Sequence, residues 1–154
     1  MTDQTTPRGL DDQLCFALYA ASNAMTRIYR ELLEPLGLTY PQYLAMLVLW
    51  EQAPVNVKTL GDRLQLDSGT LTPMLKRMEQ AGLVSRRRDP ADERQLAVSL
   101  TEAGQAMRPA AARMQAELAC RLPLPLADIV RLRGELQGLA AGLNAGQATG
   151  GQAE

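Results

Sequence analysis

Histidine is absent from the 154-residue chain, and with it go the commonest general base, the usual zinc ligand and any Ser-His or Cys-His nucleophile pair. Most hydrolase chemistry is thereby excluded. Aromatic residues make up only 4%, so a core has to be built from Leu, Ala, Val and Met, a mixture rich in helix formers. There are two cysteines, Cys15 and Cys120, too far apart for a zinc knuckle or a Cys-X-X-Cys pair, and a permanent disulfide is not expected in a reducing cytosol. No metal or other cofactor is expected. Long apolar runs are missing as well: the longest, Tyr43 to Trp50, is far below the roughly 20 residues that cross a bilayer. The start MTDQTTPRGLDD has no basic stretch leading into an apolar one, so no secretion signal is read and a cytoplasmic protein without a membrane partner is expected.

What is present is uneven in charge. The net value is -1, yet residues 54–94 carry eight basic against six acidic side chains, while residues 1–53 carry three against six and residues 95–154 five against five. The middle of the chain is the place for an anionic partner.

The hydrophobic pattern is helical at both ends. Leu14, Leu18, Ala21, Met25, Ile28 and Leu32 recur at spacings of four and three, a 3.5-residue stripe on a helix from about Asp12 to Leu36. Gly37 is placed to end it, and Tyr40-Pro41 to start a second, largely buried helix. Val57 to Leu64, a break at Gln65-Leu66 and a helix from Asp67, its N-cap, to Gln80 give two helices joined by about three residues, as in a helix-turn-helix. Pro73 lies within that last segment; either Thr72 caps a shorter helix or the helix kinks. Leu71, Leu75 and Met78 share one face, leaving Ser68, Thr70, Thr72, Lys76 and Arg77 for the other. After Gly82, LVSRRRDPADERQLAVSLT reads as two strands around a charged loop opened by Asp89-Pro90. Thr101 to Arg121 reads as helix interrupted by Pro109; Pro123 and Pro125 mark a break before a last helix striped by Ile129, Leu132, Leu136, Leu139 and Leu143. Residues 1–10 and the Gly/Ala/Gln-rich segment 145–154 read as disordered.

The order helix, helix, helix, strand, charged loop, strand predicts a mainly α fold: a winged helix-turn-helix over residues 37–100 with a two-stranded β wing. A helix of this kind fits the major groove of DNA and a basic hairpin reaches the backbone or minor groove. Lys76, Arg77, Arg86, Arg87, Arg88 and Arg94 would supply phosphate and groove contacts, and Ser68, Thr70 and Thr72 are short enough to approach bases. Alone, the RRR run also fits a solvated charge cluster. Cys15 in the bare sequence fits packing. If Asp11 or Asp12 caps the first helix, the positive helix end favours a thiolate there, while the same carboxylates oppose it.

The run LGDRLQLDSGTLTPMLKRMEQAGLVSRRRDPADERQLAVSLTEAG resembles the DNA-binding core of the MarR (multiple antibiotic resistance regulator) family, with its wing motif D-x-R followed by LT at Asp92, Arg94, Leu100 and Thr101. The resemblance implies a pseudo-palindromic double-stranded operator as partner and Arg94 in the minor groove with Asp92 holding it. It also implies a homodimer formed by helical regions 11–36 and 101–144. Cys15, Tyr29 and Tyr40 resemble the hallmark of the family's organic hydroperoxide resistance regulators, a first-helix cysteine hydrogen-bonded by two tyrosines of the partner subunit. Fourteen residues of helix rise roughly 20 Å, so Tyr29 cannot meet its own Cys15 within that helix, whereas a two-fold dimer can bring them together. In the two-cysteine branch, organic hydroperoxide oxidises the first thiolate and a resolving cysteine closes an intersubunit disulfide; by resemblance that is Cys120, and the expected outcome is release of DNA. Competing readings are a regulator of the same fold released by a phenolic or drug-like ligand, a cysteine-dependent peroxidase and a helical scaffold that binds no DNA. Peroxidase folds are strand-rich around the thiol, whereas this thiol is placed on a helix.

Overall fold

The first helix does not begin on an aspartate. In the computed structural model, which describes residues 7–150, Asp11 and Asp12 form a single 3-10 turn with Leu10. Its backbone bonds, Asp12 to Gly9 and Gln13 to Leu10, place both carboxylates ahead of the α-helix. Helix α1 is Leu14–Leu33, with Gln13 at the N-cap making no side-chain cap bond. Neither Asp11 nor Asp12, the two candidate caps, fills the N-cap position. At the other end a 3-10 turn, Glu34–Leu36, is closed by Gly37 in the left-handed region at φ 64°, where a side chain would be strained.

Helix α2, Tyr40–Gln52, starts on a reciprocal cap: the Thr39 hydroxyl accepts from the Gln42 backbone N–H and the Gln42 side chain accepts from the Thr39 N–H. Its Tyr43, Ala45, Met46, Val48 and Leu49 are buried, as an apolar helix requires. Strand β1, Val55–Asn56, follows. It joins the predicted two-stranded wing as a third strand of the sheet. Two residues carry no periodicity, which is why sequence pattern passes over them. Asn56 also caps helix α3, Val57–Leu64, through the Thr59 N–H at 2.7 Å.

Helix α4, Ser68–Gln80, is capped by Asp67 as expected and continues through Pro73. Thr72 therefore does not start a shorter helix. Strands β2, Val84–Arg88, and β3, Leu96–Leu100, pair antiparallel in the register Val84 with Leu100 and Arg88 with Leu96; β1 lies on the other edge of β3. Helix α5, Glu102–Ala106, and helix α6, Arg108–Arg121, are separated at Met107. Pro109 thus sits in the first turn of α6, where its missing N–H costs no internal bond.

The described chain divides into two units, one ending at Ala119 and one beginning at Cys120. The first has a core of Leu33, Tyr43, Met46, Leu49, Leu60, Leu71, Leu75, Met78, Val84 and Val98, the Leu, Met and Val mixture that an aromatic-poor chain has to use. The second is built on helix α7, Leu126–Gly150. It runs past Asn144, so residues 145–150, expected in the disordered tail, are helical. Residues 151–154 and 1–6 lie outside the described residues, while Leu10 belongs to the 3-10 turn. Leu14 at the start of α1 and Val130, Leu132, Leu136 and Leu143 along α7 are exposed. Among the described residues no helix is long and apolar enough to cross a membrane.

Candidate nucleic-acid interface and thiol site

Helix α4 divides cleanly. Leu71, Met74, Leu75 and Met78 are buried, Met74 joining the three residues expected there, and Ser68, Thr70, Thr72, Lys76 and Arg77 face out. Asp67 accepts from the Thr70 backbone N–H at 2.8 Å and the Thr70 hydroxyl at 3.2 Å. The Thr70 N–H chiefly holds the Asp67 carboxyl below the usual carboxylate range. Thr70 is thus a capping partner as well as a short polar group on the outward face. Gly61 in α3 makes the close crossing possible: a Cβ there would meet the Leu66 carbonyl oxygen at 2.9 Å.

The wing's arginines have separate tasks. Arg86, placed by sequence among the DNA contacts, is turned inward: its Nε and Nη2 donate to Glu79 Oε2 at 3.1 and 2.9 Å, and its backbone N–H donates to Oε1 at 2.9 Å. Only 18% of its side chain is exposed. These bonds fasten strand β2 to the last turn of α4. Arg86 holds the Glu79 carboxyl below its usual range, first through the backbone N–H and then through the guanidinium. Arg87 and Arg88 are exposed, Arg88 donating to the Glu93 carbonyl oxygen. Arg94 is exposed at the loop end. Asp92 Oδ1 accepts from the Arg94 backbone N–H at 3.1 Å, while Oδ2 accepts from Gln95 Nε2. Asp92 therefore positions Arg94 through its main chain, with no ion pair to its guanidinium among the described residues. Glu79 escaped the sequence reading because its partner lies seven residues on, across the turn at Gly82, φ 75°.

Cys15 is exposed in the first turn of α1 and Cys120 is exposed near the end of α6. Tyr29 and Tyr40 come together in one chain: their ring centroids are 4.6 Å apart, and Tyr43, which sequence did not single out, stands 5.8 Å from Tyr29. Burial pushes the Tyr29 phenol up to about 12, with the Tyr40 and Tyr43 phenols adding, and burial raises Tyr40 too. Both hydroxyls therefore stay protonated donors at neutral pH. Cys15 and Tyr29 occupy the same helix, roughly 21 Å apart along its axis at 1.5 Å per residue. The structure thus brings the two tyrosines together and keeps their own Cys15 away.

The MarR family profile matches residues 38–96. The chain is 60% identical over 95 residues to the organic hydroperoxide resistance transcriptional regulator of Bacillus subtilis (strain 168), a match spanning 62% of this chain and 65% of that protein. It is 43% identical over 110 residues to the HTH-type transcriptional regulator MgrA of Staphylococcus aureus, covering 71% of this chain and 73% of MgrA. The chain thus spans somewhat less than two thirds of the Bacillus relative and more of MgrA. Among solved structures, reduced AbfR bound to DNA superposes with a TM-score of 0.74 at 39% identity, over 87% of this chain and 94% of that one; AbfR with its disulfide formed gives 0.63 at 40%, over 85% and 92%. With these matches over the winged helix and beyond it, the chain belongs to the MarR family of winged-helix transcriptional regulators.

Proposed function

We propose that this chain is a dimeric, operator-binding regulator that leaves its DNA when organic hydroperoxide oxidises Cys15. The observation that carries the reading is the Tyr29–Tyr40 pair: two half-buried phenols, rings 4.6 Å apart, held protonated and out of reach of the Cys15 on their own helix. Such a pair of donors suits an anionic sulfur from a second subunit. Exposed apolar residues, Leu14 at the start of α1 and, separately, Leu132, Leu136 and Leu143 along α7, offer each of these helices an apolar face for a second subunit. The reading is supported by the likeness to the Bacillus regulator, named for organic hydroperoxide resistance, and to AbfR, solved reduced on DNA and with a disulfide.

The chemistry balances without a cofactor. The Cys15 thiolate attacks the distal, hydrogen-bearing oxygen of the hydroperoxide, the O–O bond breaks, the OH stays on sulfur as a sulfenic acid and the alkoxide leaves, taking one proton to become the alcohol. The Cys120 thiolate of the other subunit then attacks the sulfenic sulfur, the hydroxyl leaves as water after protonation, and an S–S bond remains. On DNA, α4 enters the major groove with Ser68, Thr70 and Thr72 toward the bases; Lys76, Arg77 and Arg87 neutralise phosphates and Arg94 reaches the minor groove. A disulfide across the dimer changes the spacing of the two α4 helices, and a two-fold reader tolerates little change there.

A non-reducing gel tests the chemistry. Peroxide-treated protein runs as a covalent dimer that dithiothreitol reverses, and Cys15→Ser and Cys120→Ser each run as single chains. A covalent dimer from Cys15→Ser would overturn the assignment of the sensing thiol.

A further inference from the structure

The phenol pair has a third member. Tyr43 is buried, with 1% of its surface exposed, its ring beside that of Tyr29, and its oxygen accepts a 2.7 Å hydrogen bond from Gln115 Nε2 on α6. Burial raises the Tyr43 phenol and the Gln115 bond opposes that rise, as expected of a donor to its oxygen. The Tyr29 ring stands between the other two, its centroid 4.6 Å from that of Tyr40 and 5.8 Å from that of Tyr43. Because Gln115 donates, it uses a lone pair of the Tyr43 oxygen and leaves the Tyr43 proton for another acceptor. Gln115 lies five residues before Cys120 on the same helix.

We infer that Tyr43 and Gln115 are positioning residues of the thiol pocket: Gln115 pins Tyr43, Tyr43 fixes the Tyr29 ring and hydroxyl for the sulfur of another subunit, and the contact fastens this pocket to the helix that carries the second thiol. The inference rests on the peroxide-sensing reading above. A phenol free to rotate spends less of its time as a donor toward the sulfur, and a thiolate that loses part of its hydrogen bonding is less populated. Neither residue belongs to the outward face of α4 or to the wing tip, so DNA affinity in the reduced state is a control.

The test compares full-length parent protein with Tyr43→Phe, Gln115→Leu and Gln115→Glu. The rate of thiol loss under cumene hydroperoxide is measured across pH, with Cys15→Ser as the reference for loss at Cys15, and reduced operator affinity is measured alongside. Tyr43→Phe removes one oxygen and keeps the ring, so it leaves the packing intact. The expected result is oxidation slowed roughly three- to tenfold in Tyr43→Phe and Gln115→Leu, with the rate profile moved to higher pH. Gln115→Glu, which accepts from Tyr43 instead of donating, is slowed at least as much, and DNA affinity stays within about twofold in all three. Parental rates and profile in Tyr43→Phe and Gln115→Leu overturn the inference, as does a loss of DNA affinity in parallel with the rate. Equal thiol loss in parent and Cys15→Ser overturns the peroxide reading beneath it, a failure the other two outcomes do not imitate.

Discussion

Arg86 and Glu79 close a ring of three hydrogen bonds between the wing and the end of the reading helix, one from the Arg86 main chain and two from its guanidinium. A wing held in this way keeps a fixed offset from α4, and the expected role of Arg86 is to set that offset, through geometry and not through charge on a phosphate. Arg86→Ala is expected to weaken operator binding roughly fivefold while leaving the slope of log K against log salt unchanged. Arg87→Ala is expected to lower that slope by about 0.9, the contribution of one phosphate. Fluorescence anisotropy over a salt series separates them; a reduced slope in Arg86→Ala would mean that the arginine leaves Glu79 to contact DNA.

The same contact has a pH signature. The folded Glu79 carboxyl titrates below its usual range, chiefly because the Arg86 N–H is bonded to it. A depressed carboxyl contributes stability that is present above its unfolded value and lost as pH falls through the folded one. Parent protein should therefore lose stability on acidification below the normal glutamate range, and Glu79→Gln should show a shallower loss there. Urea unfolding at stepped pH checks this, and identical acid limbs would contradict it.

Thr101 and Gly104 fix the exit from the wing. The Thr101 hydroxyl donates to the Gly82 carbonyl oxygen at 2.6 Å and accepts from the Gly104 N–H, and a Cβ at Gly104 would collide with the Leu83 carbonyl oxygen. Gly104→Ala is expected to cost about 1–3 kcal/mol. Thr101→Val, which loses the cap and the hydroxyl bond, should cost about 1 kcal/mol or more. Denaturant midpoints read both, and a Gly104→Ala protein as stable as the parent would mean that α5 and the backbone at Leu83 separate more easily than their contact indicates.

Much of this fold was legible because its elements are long and periodic. The α1 and α7 stripes, the Asp67 cap, Gly37 and the two strands around Asp89-Pro90 announce themselves through spacing and turn chemistry. The two-residue β1 has no period to read, and it exists because β3 offers a free edge to it. The outward face of α4 followed from periodicity alone, whereas the inward turn of Arg86 depends on a partner seven residues away across a left-handed glycine. Tyr43 was hidden for a different reason. On a helix apolar on most sides it reads as core, and only the fold brings Gln115, seventy-two residues on, to its hydroxyl.

On the proposed reading, one thiol governs occupancy of the operator. Anisotropy of labelled DNA from the region flanking the chain's own gene, followed through addition of cumene hydroperoxide and then dithiothreitol, tests it most directly. Parent protein should release the DNA and rebind it on reduction, while Cys15→Ser stays bound throughout. Release of DNA by peroxide-treated Cys15→Ser would mean that a group other than Cys15 governs the operator.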